Sequence, residues 1–140
     1  MAELILLKRP SAEQIRQITA LYRGEGWWDG EGEEPEVVAR MVAGSLVFVA
    51  ALEDGRIVGM GRAIGDGLSD AYIQDVAVEK GSRGKGLGSR IVRELAERLE
   101  AEGLTWIGLI AEGGSEPFYK SLGFGKMEGA VPMVRKRPWK

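Results

Sequence analysis

The segment with the clearest chemistry is a run of small and basic residues, Arg83-Gly84-Lys85-Gly86-Leu87-Gly88-Ser89. An apolar stretch precedes it and a stretch of helical periodicity follows it, so the run is predicted to lead from a strand into the first turn of a helix. The first N–H groups of such a helix lack intrahelical partners, and glycines let an anion approach that backbone. The segment therefore predicts a phosphate or diphosphate site. Arg83 and Lys85 are either phosphate ligands or solvated surface charges.

Two common phosphate-binding motifs do not fit this run. A P-loop needs Gly-x-x-x-x-Gly-Lys-Ser/Thr, and the residues from Gly81 to Lys85 lack that spacing. A dinucleotide fingerprint needs a third Gly or Ala where Ser89 stands. The pattern that fits is Arg-x-x-Gly-x-Gly, with its glycines at Gly86 and Gly88. A nucleotide-binding protein that uses the same loop is an alternative.

The composition narrows the chemistry. The 140 residues include no Cys and no His, which excludes a thiolate nucleophile, a Ser-His-Asp triad and imidazole metal ligands. A general base must then be a carboxylate, a Lys, a Tyr or a relayed water. No metal is expected, because no Asp/Asn loop has calcium spacing. The net charge of −2 argues against nucleic acid as a partner, and the basic residues 135–140 are expected to be a frayed surface end.

The elements around the loop predict a single mixed α/β domain over residues 1–140. Ser11 with Gln14 predicts a capping box at the start of a helix, and Pro35 fits the first turn of another. Further helices are predicted from Leu87 and over residues 115–122. The predicted strands cover residues 3–9, 45–52, 57–64, 71–78 and 105–111, with a closing pair at 124–127 and 131–134. The sheet should be mostly antiparallel, with one parallel pair (strands four and five) across the glycine loop.

These motifs together resemble the Gcn5-related N-acetyltransferase (GNAT) family over nearly the whole chain. Besides Arg-x-x-Gly-x-Gly, the stretch from Tyr72 to Val78 looks like the family's fourth strand. The stretch from Phe118 to Phe124 is similar to the family's Phe-Tyr-x-x-x-Gly-Phe signature. The resemblance implies a GNAT-like α/β fold with about four helices. It also implies acetyl transfer from acetyl-CoA to a primary amine of a small molecule, or to a peptide amine, by direct attack in a ternary complex.

The resemblance also implies the coenzyme-binding residues. In the family the fourth and fifth strands separate and the pantetheine arm lies between them. That role falls to the backbone of Val76, Ala77 and Val78, whose side chains are also expected in the core. The diphosphate is expected on the loop backbone, at Arg83, Gly84, Lys85, Gly86, Leu87, Gly88 and Ser89.

The resemblance makes Tyr119 the candidate general acid. Tyrosine has a pKa of about 10, close to that of a departing thiolate, so its hydroxyl can donate a proton as the thioester breaks. The alternative is that Tyr119 only packs beside Phe118 and Leu122 on a short helix.

The base is less clearly marked. The strand resembles that of spermidine/spermine acetyltransferases, in which Tyr-Leu-Glu-Asp precedes a similar run, and Gln74 stands at the family's glutamate position. An amide cannot accept the proton, so Asp75 becomes the candidate, although in a regular strand it faces away from Gln74 unless a bulge intervenes. Asp75 can instead be a structural hydrogen-bond acceptor. The lesser candidates are Asp70, Glu79, Glu112 and a water relay.

In the family the segment between the first two helices borders the acceptor pocket, so the resemblance implies that role for residues 27–34, which belong to an acidic, glycine-rich loop over residues 24–34. Trp27 and Trp28, with Gln74, are the candidate substrate-binding residues, because aromatic faces and carboxylates attract a cationic amine. The alternative is a solvated loop with one tryptophan packed on the core. Since Gln74 replaces a carboxylate, the competing function is a non-catalytic module that binds or senses acyl-CoA.

The remaining expectations concern location and assembly. No stretch approaches about 20 apolar residues, so no membrane partner is expected. The first ten residues have too short an apolar run for a signal peptide, and a cytoplasmic location is expected. Relatives are often dimers, so a homodimer is one expectation for the assembly.

Overall fold

A computed structural model describes residues 2–28 and 34–135 of the chain. The chain divides into two compact units, one that ends at Leu109 and one that begins at Ile110. Among the described residues, the first unit contains the sheet and three α-helices, and the second contains one short helix.

The elements of the described residues follow the predicted order closely. The first unit contains β1 (Glu3–Leu6), α1 (Ala12–Gly24), α2 (Pro35–Gly44), β2 (Val47–Glu53), β3 (Arg56–Gly65), β4 (Asp70–Val78), a 3-10 turn (Lys80–Ser82), α3 (Leu87–Ala101) and β5 (Trp106–Gly108). The second unit contains α4 (Glu116–Lys120). Strands β1 to β4 pair in sequence order as antiparallel neighbours, and β5 pairs with β4 in parallel. The predicted mixed sheet with its parallel pair is confirmed. Within the described ranges, no helix is long and apolar enough to cross a membrane.

Helix α1 begins where local hydrogen bonds predict it. The hydroxyl of Ser11 accepts from the backbone N–H of Gln14 at 3.1 Å, and the Gln14 side chain accepts from the N–H of Ser11 at 2.9 Å. This reciprocal pair confirms the predicted capping box. Pro35 lies in the first turn of α2, as predicted.

The helices cover both faces of the sheet. Met60 of β3 belongs to a core cluster that includes Tyr22 of α1 and Val42 of α2. The next residue, Gly61, faces α3, because a Cβ placed there would lie 2.7 Å from Ile91 Cγ2. Successive strand residues face opposite sides, so α1 and α2 cover one face and α3 covers the other.

The parallel pairing between β4 and β5 is short. It joins Asp70, Ala71 and Tyr72 to residues 106–108, so β5 is shorter than the predicted strand 105–111. From Ile73 to Val78, β4 has no pairing partner on that side among the described residues. The end of β4 that leads into the glycine loop is therefore unpaired on its β5 side among the described residues.

The predicted closing strand pair at 124–127 and 131–134 is wrong. The described part of the second unit contains no strand, although a turn forms at Glu128 and Gly129. Val131, Met133 and Val134 are exposed. Gly125 and Pro132 interrupt the two segments, and two short strands without a buried face are only marginally stable.

Candidate functional site

The glycine loop has the geometry of an anion cradle. Gly84 and Gly86 both adopt φ of 81°, a left-handed conformation that favours glycine, and Gly86 immediately precedes α3. The first backbone bond into this helix runs from the N–H of Arg90 to the carbonyl of Gly86. Within the described part of the chain, the N–H groups of residues 84–89 donate no hydrogen bond. Several adjacent donors are therefore available at the positive end of the helix dipole.

Both cations of the loop are paired with carboxylates. The Arg83 guanidinium lies 3.3 Å from a Glu25 oxygen, and its Nε donates to the carbonyl of Val78 at 2.8 Å. The Lys85 ammonium lies 3.2 Å from Glu53. A hydrogen bond from the Ser82 hydroxyl, and then the bond and charge of Lys85, hold the pKa of Glu53 below its usual range. Because these pairs are exposed, a competing phosphate can exchange with the carboxylates at small cost.

A cleft of about 290 Å³ lies between the C-terminal end of α1 and the end of β4. Its walls include Leu21 of α1 and Glu25, which directly follows this helix, and Ala77, Val78 and Arg83 from the other side. Three of the predicted coenzyme-binding residues therefore meet in one cavity. The side chain of Val76 instead faces α3, as its contact with the Cβ position of Gly61 shows.

A β-bulge interrupts β4 beside this cleft. Met60 pairs with Ala77 and Arg62 pairs with Gln74, so Gly61 alone faces both Asp75 and Val76. Asp75 has a φ of 57°, which is unusual for a residue other than glycine. Its carboxylate bonds Arg62, the cross-strand partner of Gln74, at 2.7 Å. Cross-strand partners share a face, so the bulge brings Asp75 to the face on which Gln74 lies.

Tyr22 contacts both the Asp75 carboxylate and the two tryptophans that follow α1. The Tyr22 hydroxyl donates to Asp75 at 2.7 Å. Burial, and then the bond to Asp75, raise the pKa of Tyr22 well above its ordinary value. Trp28 stacks on its ring at 4.0 Å, and Trp27 meets the ring edge-on at 5.9 Å. Trp28 is half-buried against the core, whereas Trp27 is 46% exposed.

Tyr119 lies on α4 in the second unit, within a small aromatic group. Its ring contacts Phe118 at 4.9 Å and Phe124 at 6.0 Å, both edge-on. Burial raises the pKa of Tyr119. The hydroxyl therefore stays protonated at neutral pH, which a general acid requires.

The sequence did not single out four of the residues around the cleft and the loop. They are Tyr22, Glu25, Glu53 and Arg62. The one available signal was Arg62, a charge inside an otherwise apolar strand, which is rare unless the charge is paired. Among the predicted features, the acidic residues 29–33 and the tail 136–140 lie outside the described residues.

Comparison with known proteins identifies the family. The model of the acetyltransferase (GNAT) family matches residues 12–124. GCN5-related N-acetyltransferase 1 of Arabidopsis thaliana, a chloroplast protein, is 36% identical over 86% of this chain and 60% of its own length. Serotonin N-acetyltransferase 2 of rice, also a chloroplast protein, is 38% identical over 59% of this chain and 41% of its own length. The chain thus spans about half the length of these two curated relatives.

A solved structure gives the same result for the fold. A probable acetyltransferase from meticillin-resistant Staphylococcus aureus superposes with a TM-score of 0.79 at 25% identity. The match covers 98% of this chain and all of that one (100%). Because the family model covers most of the chain, and because the glycine loop and the unpaired end of β4 are both present, this chain belongs to the GNAT acetyltransferase family.

Proposed function

We propose that this chain transfers the acetyl group of acetyl-CoA to a primary amine of a small molecule, by direct attack in a ternary complex. A peptide amine is the second acceptor class. The observation that carries the proposal is the row of N–H groups at residues 84–89, which donate to no other described residue at the start of α3. Family membership supports acetyl transfer in general.

The residues around the cleft fit acetyl-CoA. The amides of residues 84–89 would hold its diphosphate, with Arg83 and Lys85 exchanging their carboxylate partners for phosphate oxygens. The backbone from Val76 to Val78, which lacks a β5 partner, would pair with the amide groups of the pantetheine arm. When bound, the coenzyme supplies an acyl group activated as a thioester.

Tyr119 is the proposed general acid. Its hydroxyl would give its proton to the thiolate sulfur as the bond between carbon and sulfur breaks, and solvent would then reprotonate the tyrosinate. The raised pKa of Tyr119 keeps that proton available over the neutral range. We expect Tyr119→Phe to lower kcat by about 100-fold, with a much smaller effect on coenzyme affinity.

The amine must lose a proton to attack, and Asp75 and a water are the alternatives for receiving it. One oxygen of Asp75 already accepts from both Tyr22 and Arg62. This arrangement favours a water relay. Gln74, exposed on β4 beside the bulge, would contribute hydrogen bonds to the acceptor instead of removing a proton.

For the acceptor we propose a cationic amine bound beside Trp27. This ring is exposed, and it is held edge-on to Tyr22 close to Glu25 in the chain. Trp28 would support the site indirectly, since it stacks on Tyr22 and packs on the core. The expected homodimer and the expected cytoplasmic location stay predictions.

The competing function is a module that binds or senses acyl-CoA without turnover, favoured by Gln74 at the family's glutamate position. Two measurements on the full chain separate the functions: calorimetry with coenzyme A, and release of free thiol from acetyl-CoA across a panel of amines. Binding with turnover of at least one amine supports the transferase. Binding without turnover supports the sensor, and the absence of binding contradicts both.

A further inference from the structure

We propose that Asp75 is a positioning residue, whose carboxylate, bonded to Tyr22 and Arg62, holds the β4 bulge in the shape that presents Val76 to Val78 to the coenzyme. This inference rests on the proposed function. It assigns Asp75 a role other than proton acceptor, and it adds Tyr22 and Arg62 to the residues on which coenzyme binding depends.

The three side chains come from three different elements. Tyr22 lies on α1, Arg62 on β3 and Asp75 on β4. Both donors bond the same atom, Asp75 Oδ2, each at 2.7 Å. The carboxylate therefore links the helix that forms one wall of the cleft to the strand that forms the other.

The surroundings make these bonds strong. Tyr22 is 3% exposed. The side chains of Arg62 and Asp75 are 16% and 23% exposed. Partial burial reduces the competition from water, and hydrogen bonds to a charged group are stronger than those between neutral groups. The carboxylate therefore ties α1, β3 and β4 together beside the cleft.

The backbone of Asp75 has an unusual conformation at the bulge. Its φ of 57° lies in the left-handed region, which Gly, Asn and Asp tolerate better than other residues do. The bulge determines which way the following peptide groups point. Ala77 and Val78 lie two and three residues after Asp75 and form part of the cleft wall, so a change at Asp75 should alter coenzyme binding before it alters the chemical step.

Three substitutions at this position separate the roles. Asp75→Asn tolerates the left-handed φ and keeps an oxygen acceptor for Tyr22 and Arg62. Asp75→Gly keeps the φ but removes the acceptor. Asp75→Ala removes the acceptor and strains the backbone. None of the three retains a base, so a base role predicts the same loss of turnover in all of them.

The positioning role predicts a graded result in the full chain. The Kd for coenzyme A, measured by calorimetry, should stay within about threefold of wild type in Asp75→Asn and rise about tenfold or more in Asp75→Gly, with the largest rise in Asp75→Ala. The turnover of Asp75→Asn with a working amine should stay within about tenfold of wild type. Tyr22→Phe keeps the ring that stacks on Trp28 but removes one donor, and it should raise the Kd by a smaller factor.

Leu99→Ala serves as the control for lost stability. Leu99 is fully buried near the far end of α3, and its truncation leaves a cavity that lowers the stability of the fold. At a temperature where wild type and Leu99→Ala are both folded, this substitution should leave the Kd for coenzyme A unchanged.

Two outcomes with the Asp75 variants would contradict the positioning role. A fall of about 100-fold in kcat in all three Asp75 variants, with an unchanged Kd, would identify a base. A wild-type Kd in Asp75→Gly would show that the bonds to Tyr22 and Arg62 are not needed. If wild type binds no coenzyme A, the proposed function fails together with this inference. If wild type binds and turns over, only the inference is at stake.

Discussion

The glycine before α3 offers a direct test of the anion cradle. Gly86 has a φ of 81°, and a Cβ at this position would meet no atom within 4 Å. Gly86→Ala therefore introduces backbone strain without a steric clash. The variant either holds the left-handed conformation, at about 1–2 kcal/mol, or relaxes by rotating the neighbouring peptide groups. Rotation would redirect the N–H groups at the start of the helix.

Gly103 provides a matched control at the other end of the same helix. Its φ is 86°, and a Cβ there also meets nothing within 4 Å. The two glycines flank α3, which has 15 residues and is about 22 Å long. Gly86→Ala and Gly103→Ala should therefore lower the free energy of unfolding by similar amounts, about 1–2 kcal/mol each, as measured by urea unfolding.

Coenzyme binding should distinguish the two variants. Loss of one charge-assisted bond to a phosphate oxygen costs about 1.5–3 kcal/mol, so Gly86→Ala should raise the Kd for coenzyme A about tenfold or more in calorimetry. Gly103→Ala should leave the Kd unchanged. If the two variants lose stability equally and both bind as wild type does, the amides of the loop do not hold the diphosphate.

Two further predictions follow from contacts near the sheet and the cleft. Glu25→Gln removes the carboxylate that pairs with Arg83, so the Kd for coenzyme A should fall about two- to fivefold. Glu94→Gln weakens a comparable pair with Arg98 on α3 and should leave this Kd unchanged. Equal Kd values for the two variants would contradict a competition between Glu25 and phosphate for Arg83. Gly61→Ala places a Cβ 2.7 Å from Ile91 Cγ2 and should lower the free energy of unfolding by about 1–3 kcal/mol. Gly44→Ala, with no atom within 4 Å, should not, and equal unfolding midpoints would refute the close contact between β3 and α3.

The pairing of Arg83 and Lys85 with carboxylates affects which groups of the loop attract the diphosphate. The sequence left open whether these cations bind phosphate or only face solvent. In the structure each one is paired, with Glu25 and with Glu53. The charge near the cradle is thus largely balanced before any phosphate arrives, so the backbone amides would provide the main attraction for the diphosphate.

The sequence alone determined the features that depend on neighbouring residues. The capping box needs only Ser11 and Gln14, three residues apart, and it formed as predicted. The loop from Arg83 to Ser89 follows from glycine spacing and from the start of a helical pattern. These predictions succeeded because the interactions behind them lie within a single turn or helix.

Only the tertiary structure decided which groups the Asp75 side chain contacts. In a regular strand it would have faced away from Gln74, but the bulge turned it toward Tyr22, which is 53 residues earlier in the chain. The partner of Arg83, Glu25, is 58 residues away. Such contacts depend on how α1 packs across the sheet, and no local pattern encodes that packing. The prediction of the closing strands was wrong for a related reason. A segment of high β-propensity forms a strand only where a neighbouring strand or a buried face stabilises it.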